Sequence, residues 1–400
     1  MITNRHSLNF LLRITLFALR RYVFFLFRLQ LQGFEAIKTL RQPPIIVGNH
    51  VSNWDPIWTI GACNERIRFL ASDLVFRRPI LGRLLRWAGM ISKRKFYSDP
   101  KAVRAMKQSL SQGDWIGFYP EGQANWDGNL ASFIEGTGKL LKFLGAPVVC
   151  IKTSGAYFTQ GRWAWPKQTP RITLTVTRIL SQEEVKALSA NEIEQIIREN
   201  SLEDPWNTDP NLSVSGIEGA LVYCPYCGSS HSLFSQRRTI SCTSCGIGAR
   251  VSFPGGKIHW NLPGGFNNSN EPEPSADTDL PSSVPQWFIA QDKWFSKTGA
   301  GVWKGLTIPY LYEEHSRFLG KKFRIPVTQV WQDDGLTFQL INEQNEILRT
   351  FHVNSLEWLN IQMGERIEFR MKKELFVLQP IRPRGGYPLY RWKQLQEQGD

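Results

Sequence analysis

At 400 residues, 42% of them hydrophobic, the chain is long enough for two or three packed domains and too apolar for wholesale disorder. Its net charge of +13 is unevenly placed: residues 1–110 hold 19 Lys/Arg against 5 Asp/Glu, a net of +14, which leaves about −1 for the rest. Such a basic field attracts an anionic bilayer or a nucleic acid, and charge alone does not choose between them. The six cysteines do not read as a disulfide framework, so a reducing compartment fits.

The first predicted element is "LNFLLRITLFALRRYVFFLFRLQL", residues 8–31, apolar except at a few positions that include Arg13, Arg20, Arg21 and Arg28. No small-residue cleavage site follows it, so a cleaved signal is not expected. Its Leu, Ile, Phe and Val favour insertion into a bilayer by roughly 5–9 kcal/mol, and each central arginine costs about 2.5–3.5, so spanning is near balance. At ~100° per residue the arginines fall within an arc of roughly 100°, which favours a helix lying in the interface. Spanning and burial against the protein itself stay open as alternatives. The expectation is an interfacial helix within 1–32, on the cytoplasmic face of a membrane.

From residue 33 the pattern alternates strand and helix. "PPIIVGNH" (43–50) reads as a buried strand, and "DPIWTIGAC" (55–63) as a helix with Asp55 as N-cap and Pro56 in first position. Strands follow at 66–72, 115–122, 147–154 and 171–179, with an extended segment at 90–95. Helices follow at 80–89, 100–113 and 131–145, then one or two across 181–200 with capping-box starts. This predicts an α/β domain over 33–205: a mixed sheet flanked by helices. A Cys-rich module occupies 219–262. Residues 263–286, polar and rich in Pro, Ser and Asn, read as a flexible linker. Alternating stretches in 287–400 predict a small antiparallel β-domain.

Within this frame His50 leaves a strand and enters a turn, and Asp55 starts the next helix. On a continuous helix the two would lie about 140° apart, but the "VSNW" turn lets the carboxylate fold back to the imidazole. There it would fix the tautomer and leave the other ring nitrogen free to take a proton. A capped turn with a satisfied histidine explains the same residues. Lys93, Arg94 and Lys95 after a glycine turn form a cationic cluster fit for phosphate, and Glu121–Gly122 sit in a turn at a strand end.

In order and spacing these segments resemble the glycerolipid acyltransferase family, the PlsC-type lysophosphatidate acyltransferases. Asn49–His50 and Asp55 match the first block; Gly89, Ile91 and Arg94 the second; Tyr119–Pro120–Glu121–Gly122 the third; Pro147 the fourth. The resemblance spans roughly 33–200. It implies that His50 is the general base on an acceptor hydroxyl, oriented by Asp55, with an acyl-CoA or acyl-carrier-protein thioester as donor. It also implies that Lys93 and Arg94 hold the phosphate of a lysophospholipid, and that Glu121 and Gly122 shape the acceptor site. The chain departs from the family after Gly122, where Gln123, Ala124 and Asn125 replace a Thr-Arg pair. It departs again at Cys150, where a second Pro is common.

Cys224, Cys227, Cys242 and Cys245 form two Cys-x₂-Cys knuckles with a glycine after each, the spacing of a structural zinc ribbon. All four ligand positions are then filled, which excludes catalysis at that metal. The ribbon's basic and aromatic residues are modest, so a nucleic-acid partner is disfavoured. A competing reading keeps the fold and drops the chemistry: a membrane-anchored binding protein whose ribbon recruits a partner.

Overall fold

The computed structural model describes residues 10–94, 99–164, 171–207, 212–262, 280–298, 307–316, 320–332, 334, 336–361, 367–372, 374–380, 391 and 394. The chain divides into two compact units, Met1–Arg162 with Lys167–Pro205, and Trp206–Asp400 with the short insert Trp163–Pro166. The predicted mixed α/β architecture is present in the first, and further antiparallel sheets in the second.

The first unit opens with helix α1 (Phe10–Phe27) and strand β1 (Gln30–Gln32). Strands β2 (Ile45–Gly48), β3 (Ile67–Ser72), β4 (Ile91–Lys93), β5 (Trp115–Gly117), β6 (Val148–Ser154) and β7 (Thr173–Leu180) complete its sheet. The order is β1-β7-β6-β2-β5-β3-β4. Strands β2 to β6 are parallel, β7 is antiparallel to β6, and β1 is parallel to β7. The connecting helices are α2 (Asp55–Cys63), α3 (Asp73–Phe76), α4 (Pro79–Trp87), α5 (Pro100–Ser111), α6 (Thr137–Leu144) and α7 (Tyr157–Gln160). After β7 come α8 (Gln182–Ala187) and α9 (Ala190–Ser201), each opened by a full capping box, Ser181/Glu184 and Ser189/Glu192.

Handedness sorts these helices between the two faces. The crossovers β2-α2-β3 and β3-α3-α4-β4 step one way along the sheet; β4-α5-β5 and β5-α6-β6 step the other. Right-handed crossovers therefore put α2, α3 and α4 on one face and α5 and α6 on the other. The core agrees: Met106 of α5, Leu141 of α6, Val185 of α8 and Ile193 of α9 pack with Ile45, Ile116 and Val148 in one cluster. Helix α1 lies against α2, with Val23 and the Arg20 backbone close to Gly61 and with Phe27 on Trp54 and Trp58. So α1 shares the α2/α4 face.

The N-terminal helix packs one edge on the protein and leaves another open. Its Val23 and Phe27 edge is buried against the protein, while Phe17, Tyr22, Phe25 and Leu26 stay exposed. Among the described residues, no helix is long and apolar enough to cross a membrane. The expected helix at 131–145 begins only at Thr137. The Ala131 and Ile134 N–H groups are taken by the Glu121 carboxylate and the Pro120 carbonyl, which draws the first turn out of the helix.

The second unit opens with the Cys-rich module, built on strands β8 (Leu233–Gln236), β9 (Thr239–Cys242), β10 (Gly248–Ser252) and β11 (Lys257–Asn261) in order β11-β10-β9-β8. Residues 263–279 of the expected linker lie outside the described residues. The stretch after them differs from expectation: Val284–Thr298, placed partly in the β-domain, is helix α10. Its apolar residues recur at helical spacing, with Val284, Trp287, Phe288 and Phe295 buried. The remaining strands are β12 (Thr307–Ser316), β13 (Gly320–Trp331), β14 (Thr337–Ile341), β15 (Ile347–His352), β16 (Trp358–Ile361), β17 (Ile367–Met371) and β18 (Glu374–Pro380). They form one antiparallel sheet, β15-β14-β13-β12-β18-β17-β16, around an aromatic core of Phe338, Phe351, Phe369 and Phe376.

Candidate active site

Strand β2 ends at Gly48 and releases Asn49 and His50 into the turn before α2. Asp55 is not the cap of α2 but its first residue, with Trp54 in the N-cap position. Its side chain turns back over the loop instead. Oδ2 accepts from His50 Nδ1 at 2.8 Å, from the Val51 N–H at 2.7 Å and from the Ser52 N–H at 2.9 Å. The carboxylate is fully buried while the imidazole keeps 15% of its surface exposed. Two backbone donors and one imidazole on a single oxygen hold the anion in one place. The His50 ring in turn is held at Nδ1, which leaves Nε2 as its acceptor.

Glu121 is the second anchor of the loop. Its Oε1 accepts from the His50 N–H at 2.6 Å and its Oε2 from the Ala131 N–H at 2.9 Å. Burial pushes its pKa up to about 8, against the pull of those two donors and with a further push from Asp55. Gly122 follows at φ +73°, and a Cβ there would meet Ile134 Cδ1 at 2.7 Å, so this turn needs glycine. Tyr119 lies flat on His50, with ring centroids 4.5 Å apart and planes 18° apart, and also stacks with Phe69 at 5.6 Å. Its hydroxyl meets Thr59 Oγ1 of α2 at 3.2 Å. The imidazole therefore rests on an aromatic column rather than in free solvent.

His50, Asp55, Glu121 and Gly122 are thus brought into one hydrogen-bonded loop system. Lys93 and Arg94 are not part of it. Lys93 ends β4 and Arg94 follows it, three strand positions from β2, roughly 14 Å across the sheet at ~4.8 Å per step. A ligand shared with His50 would need their long side chains to reach inward. Lys93 is half-buried, and burial lowers its pKa while Asp99 partly opposes the shift. Asp99 accepts from the Arg94 N–H at 2.9 Å and lies 3.8 Å from its guanidinium. Lys95 lies outside the described residues.

Two anchors escaped the sequence reading. Asn49 clamps β2 to β6, its amide donating to the Thr153 carbonyl at 2.9 Å and accepting from the Thr153 N–H at 2.8 Å. Glu203, just past α9, accepts from the Gly155 N–H at 3.1 Å and from Asn49 Nδ2 at 3.4 Å. Burial raises its pKa to about 7. Asn49 is adjacent to His50 and could have been suspected; Glu203 has no local signal, because only the fold brings it there.

The four cysteines of the second unit also converge. All four sulfurs lie within 4.8 Å of one another, with Cys224–Cys245 and Cys227–Cys242 both at 3.8 Å. A tetrahedron with metal–sulfur bonds of about 2.3 Å has an edge of about 3.8 Å, so the set fits zinc. Helix α10 is tied to the first knuckle. Gln291 Oε1 accepts from the Val222 N–H at 2.6 Å, its Nε2 donates to the Ala220 carbonyl at 3.0 Å, and Trp287 Nε1 donates to the Tyr223 carbonyl at 2.8 Å.

A mixed α/β sheet with an imidazole held by a buried carboxylate at its strand ends defines the class of domain. Residues 28–154 match the family model described as acyltransferase, and that span holds every residue of the site except Glu203. The matched span supports a PlsC-type acyltransferase domain over 28–154. The chain is similar to the chloroplastic 1-acyl-sn-glycerol-3-phosphate acyltransferase LPAT1 of Arabidopsis thaliana, 26% identical over 133 residues, covering 32% of this chain and 36% of that one. It is also similar to the 1-acyl-sn-glycerol-3-phosphate acyltransferase of Pseudomonas aeruginosa, 27% identical over 145 residues, covering 34% and 54%. The chain therefore spans about a third to a half of the length of these relatives. The crystal structure of the 1-acyl-sn-glycerophosphate acyltransferase PlsC from Thermotoga maritima aligns with 48% of this chain and 78% of its own, at TM-score 0.40 and 19% identity.

Proposed function

We propose that the protein transfers a fatty acyl group from an acyl-CoA or acyl-carrier-protein thioester to the free hydroxyl of a lysophospholipid such as 1-acylglycerol 3-phosphate, working at the cytoplasmic face of a membrane. The observation that carries this reading is the 2.8 Å contact between His50 Nδ1 and a fully buried Asp55 carboxylate. With Nδ1–H donated to Asp55, Nε2 takes the proton of the acceptor hydroxyl as its oxygen attacks the thioester carbonyl. The tetrahedral oxyanion collapses, the carbon–sulfur bond breaks, and the imidazolium returns its proton to the departing thiolate. Asp55 stabilises the imidazolium between those steps.

Glu121 and Gly122 shape the acceptor pocket indirectly: the carboxylate holds the His50 backbone, and the glycine lets the chain turn beside it. Lys93 and Arg94 are the cations assigned to the acceptor phosphate, reaching in from the end of β4. The relatives named for acylglycerol-phosphate acylation support that acceptor. Cys224, Cys227, Cys242 and Cys245 would hold a structural zinc that takes no part in the transfer.

The test is an assay of thioester-dependent acylation with purified full-length protein and lysophosphatidate in mixed micelles. His50→Ala should lower the rate by about 10²–10⁴, and Asp55→Asn by less, with both variants melting near the wild type. A His50→Ala rate close to wild type would remove His50 as the base.

A further inference from the structure

We propose that α4 is a second bilayer-seating element, and that with the exposed edge of α1 it sets the His50 face of the sheet on an anionic lipid surface. The proposal rests on the membrane-surface reading above and extends it to a helix inside the catalytic domain.

Helix α4 carries three large apolar side chains in the open: Ile80 is 84% exposed, Leu84 53% and Trp87 55%. At ~100° per residue they fall within about 60° of one another, a single stripe. The helix cannot roll to hide them. Gly82, on its inner side, sits so close to the Phe76 carbonyl that a Cβ would lie 2.0 Å from that oxygen, and Arg86 Nη1 donates to the same carbonyl at 3.1 Å. A folded domain gains nothing from leaving such a stripe in water, so the stripe calls for a partner surface.

Charge selects the partner. Arg83 is exposed beside the stripe, and Arg77 is exposed just before the helix, paired with Asp73 at the start of α3. An apolar ridge bordered by guanidinium groups matches acyl chains below and lipid phosphates above. The same arrangement recurs on α1, where Phe17, Tyr22, Phe25 and Leu26 are exposed beside Arg21 and Arg28.

Topology puts the two ridges on the same side. Right-handed crossovers place α4 with α2 on one face of the sheet, and α1 packs on α2. The reacting imidazole belongs to that face too: Leu70 and Phe118 point into the α5/α6 core, so their neighbours Phe69 and Tyr119, which carry the His50 stack, point the other way. Helix α4 starts just beyond the C-terminal end of β3, the sheet edge at which His50 leaves β2. A bilayer touching both ridges would lie against the mouth of the site, where an amphiphilic acceptor could enter without leaving the lipid.

The experiment is vesicle sedimentation of the full chain with phosphatidylcholine alone and with added phosphatidylglycerol. Wild type should bind, better with the anionic lipid. The triple variant Ile80→Glu, Leu84→Glu, Trp87→Glu should bind at least about tenfold more weakly, and Arg83→Gln about fivefold more weakly on anionic vesicles only. Quenching by brominated lipid, compared between wild type and Trp87→Phe, should assign part of the loss of fluorescence to Trp87; this arm needs no disruptive variant. Triple-variant binding equal to wild type, or no quenching at Trp87, overturns the role of α4 while leaving membrane association standing. Absence of wild-type binding to either vesicle overturns the membrane reading itself. A wild-type dimer made monomeric by the triple variant, with vesicle binding unchanged, overturns the proposal in favour of a second copy of the chain on α4.

Discussion

The two units of this chain hold their sites together in different ways. In the second, four ligands come from two knuckles within Cys224–Cys245, and a metal would join them. In the first, the loop around His50 is pinned by Asp55 from the next helix, by Glu121 from a turn after β5, and by Asn49, which Glu203 braces from beyond α9. A metal site can tolerate a local scaffold because the ion supplies the binding energy and the geometry. The proposed general base has no such centre, so its placement comes from hydrogen bonds to parts of the fold far away in sequence.

The sharpest way to break this comparison is to silence each site alone. His50→Ala should cost acyl transfer about 10²–10⁴ while zinc content, read by atomic absorption, stays unchanged. Cys242→Ser should do the reverse: metal is lost and the second unit melts at lower temperature, because the knuckle that anchors Gln291 and Trp287 comes apart. Acyl transfer lost with the zinc, while the first unit stays folded, would mean that the two regions are not independent.

A subtler test concerns the long-range anchors. Glu121 has a folded pKa raised to about 8 from an ordinary 4.5, so the folded state binds the proton more tightly than the unfolded one. Its contribution to stability is full below about pH 4.5 and declines as pH rises towards 8. Glu121→Gln should flatten that part of the stability profile, measured by urea unfolding across pH, and a slope identical to wild type would show that the group titrates normally. The smallest expected effect is at Gly122. Gly122→Ala forces a side chain into a left-handed turn against Ile134 and should cost about 1–2 kcal/mol. Thermal melting reads this directly, and an unchanged melting temperature would mean the turn rearranges freely.

Local rules made much of this molecule legible. Helix α2 was expected at 55–63 and spans those residues; both capping boxes before α8 and α9 form; the cysteine spacing pointed to a four-sulfur cluster that the fold assembles. The misses share one cause. Asp55 was placed at the N-cap, but Trp54 holds that position; the Asp55 carboxylate folds back to His50 as the turn allows and also takes the Val51 and Ser52 N–H groups. The 131–136 stretch has helical spacing but gives up its N–H groups to Glu121 and Pro120. Residues 287–298 were counted with the β-domain that follows them, but their apolar residues recur at helical spacing and as a helix they place Trp287 and Gln291 against the backbone at 220–223.

The order of elements, the motif that carries the histidine and its aspartate, and the sulfur quartet were determined by residues close together along the chain, because hydrophobic period, capping and knuckle geometry act over a few residues. Tertiary structure alone decided that Tyr119 lies under the imidazole, that Glu203 braces Asn49, that the β4 cations stand well away from His50, and that the α1 and α4 ridges face the same way. Each of these depends on strand order and crossover hand, which place distant segments side by side and leave no trace in any short window of sequence.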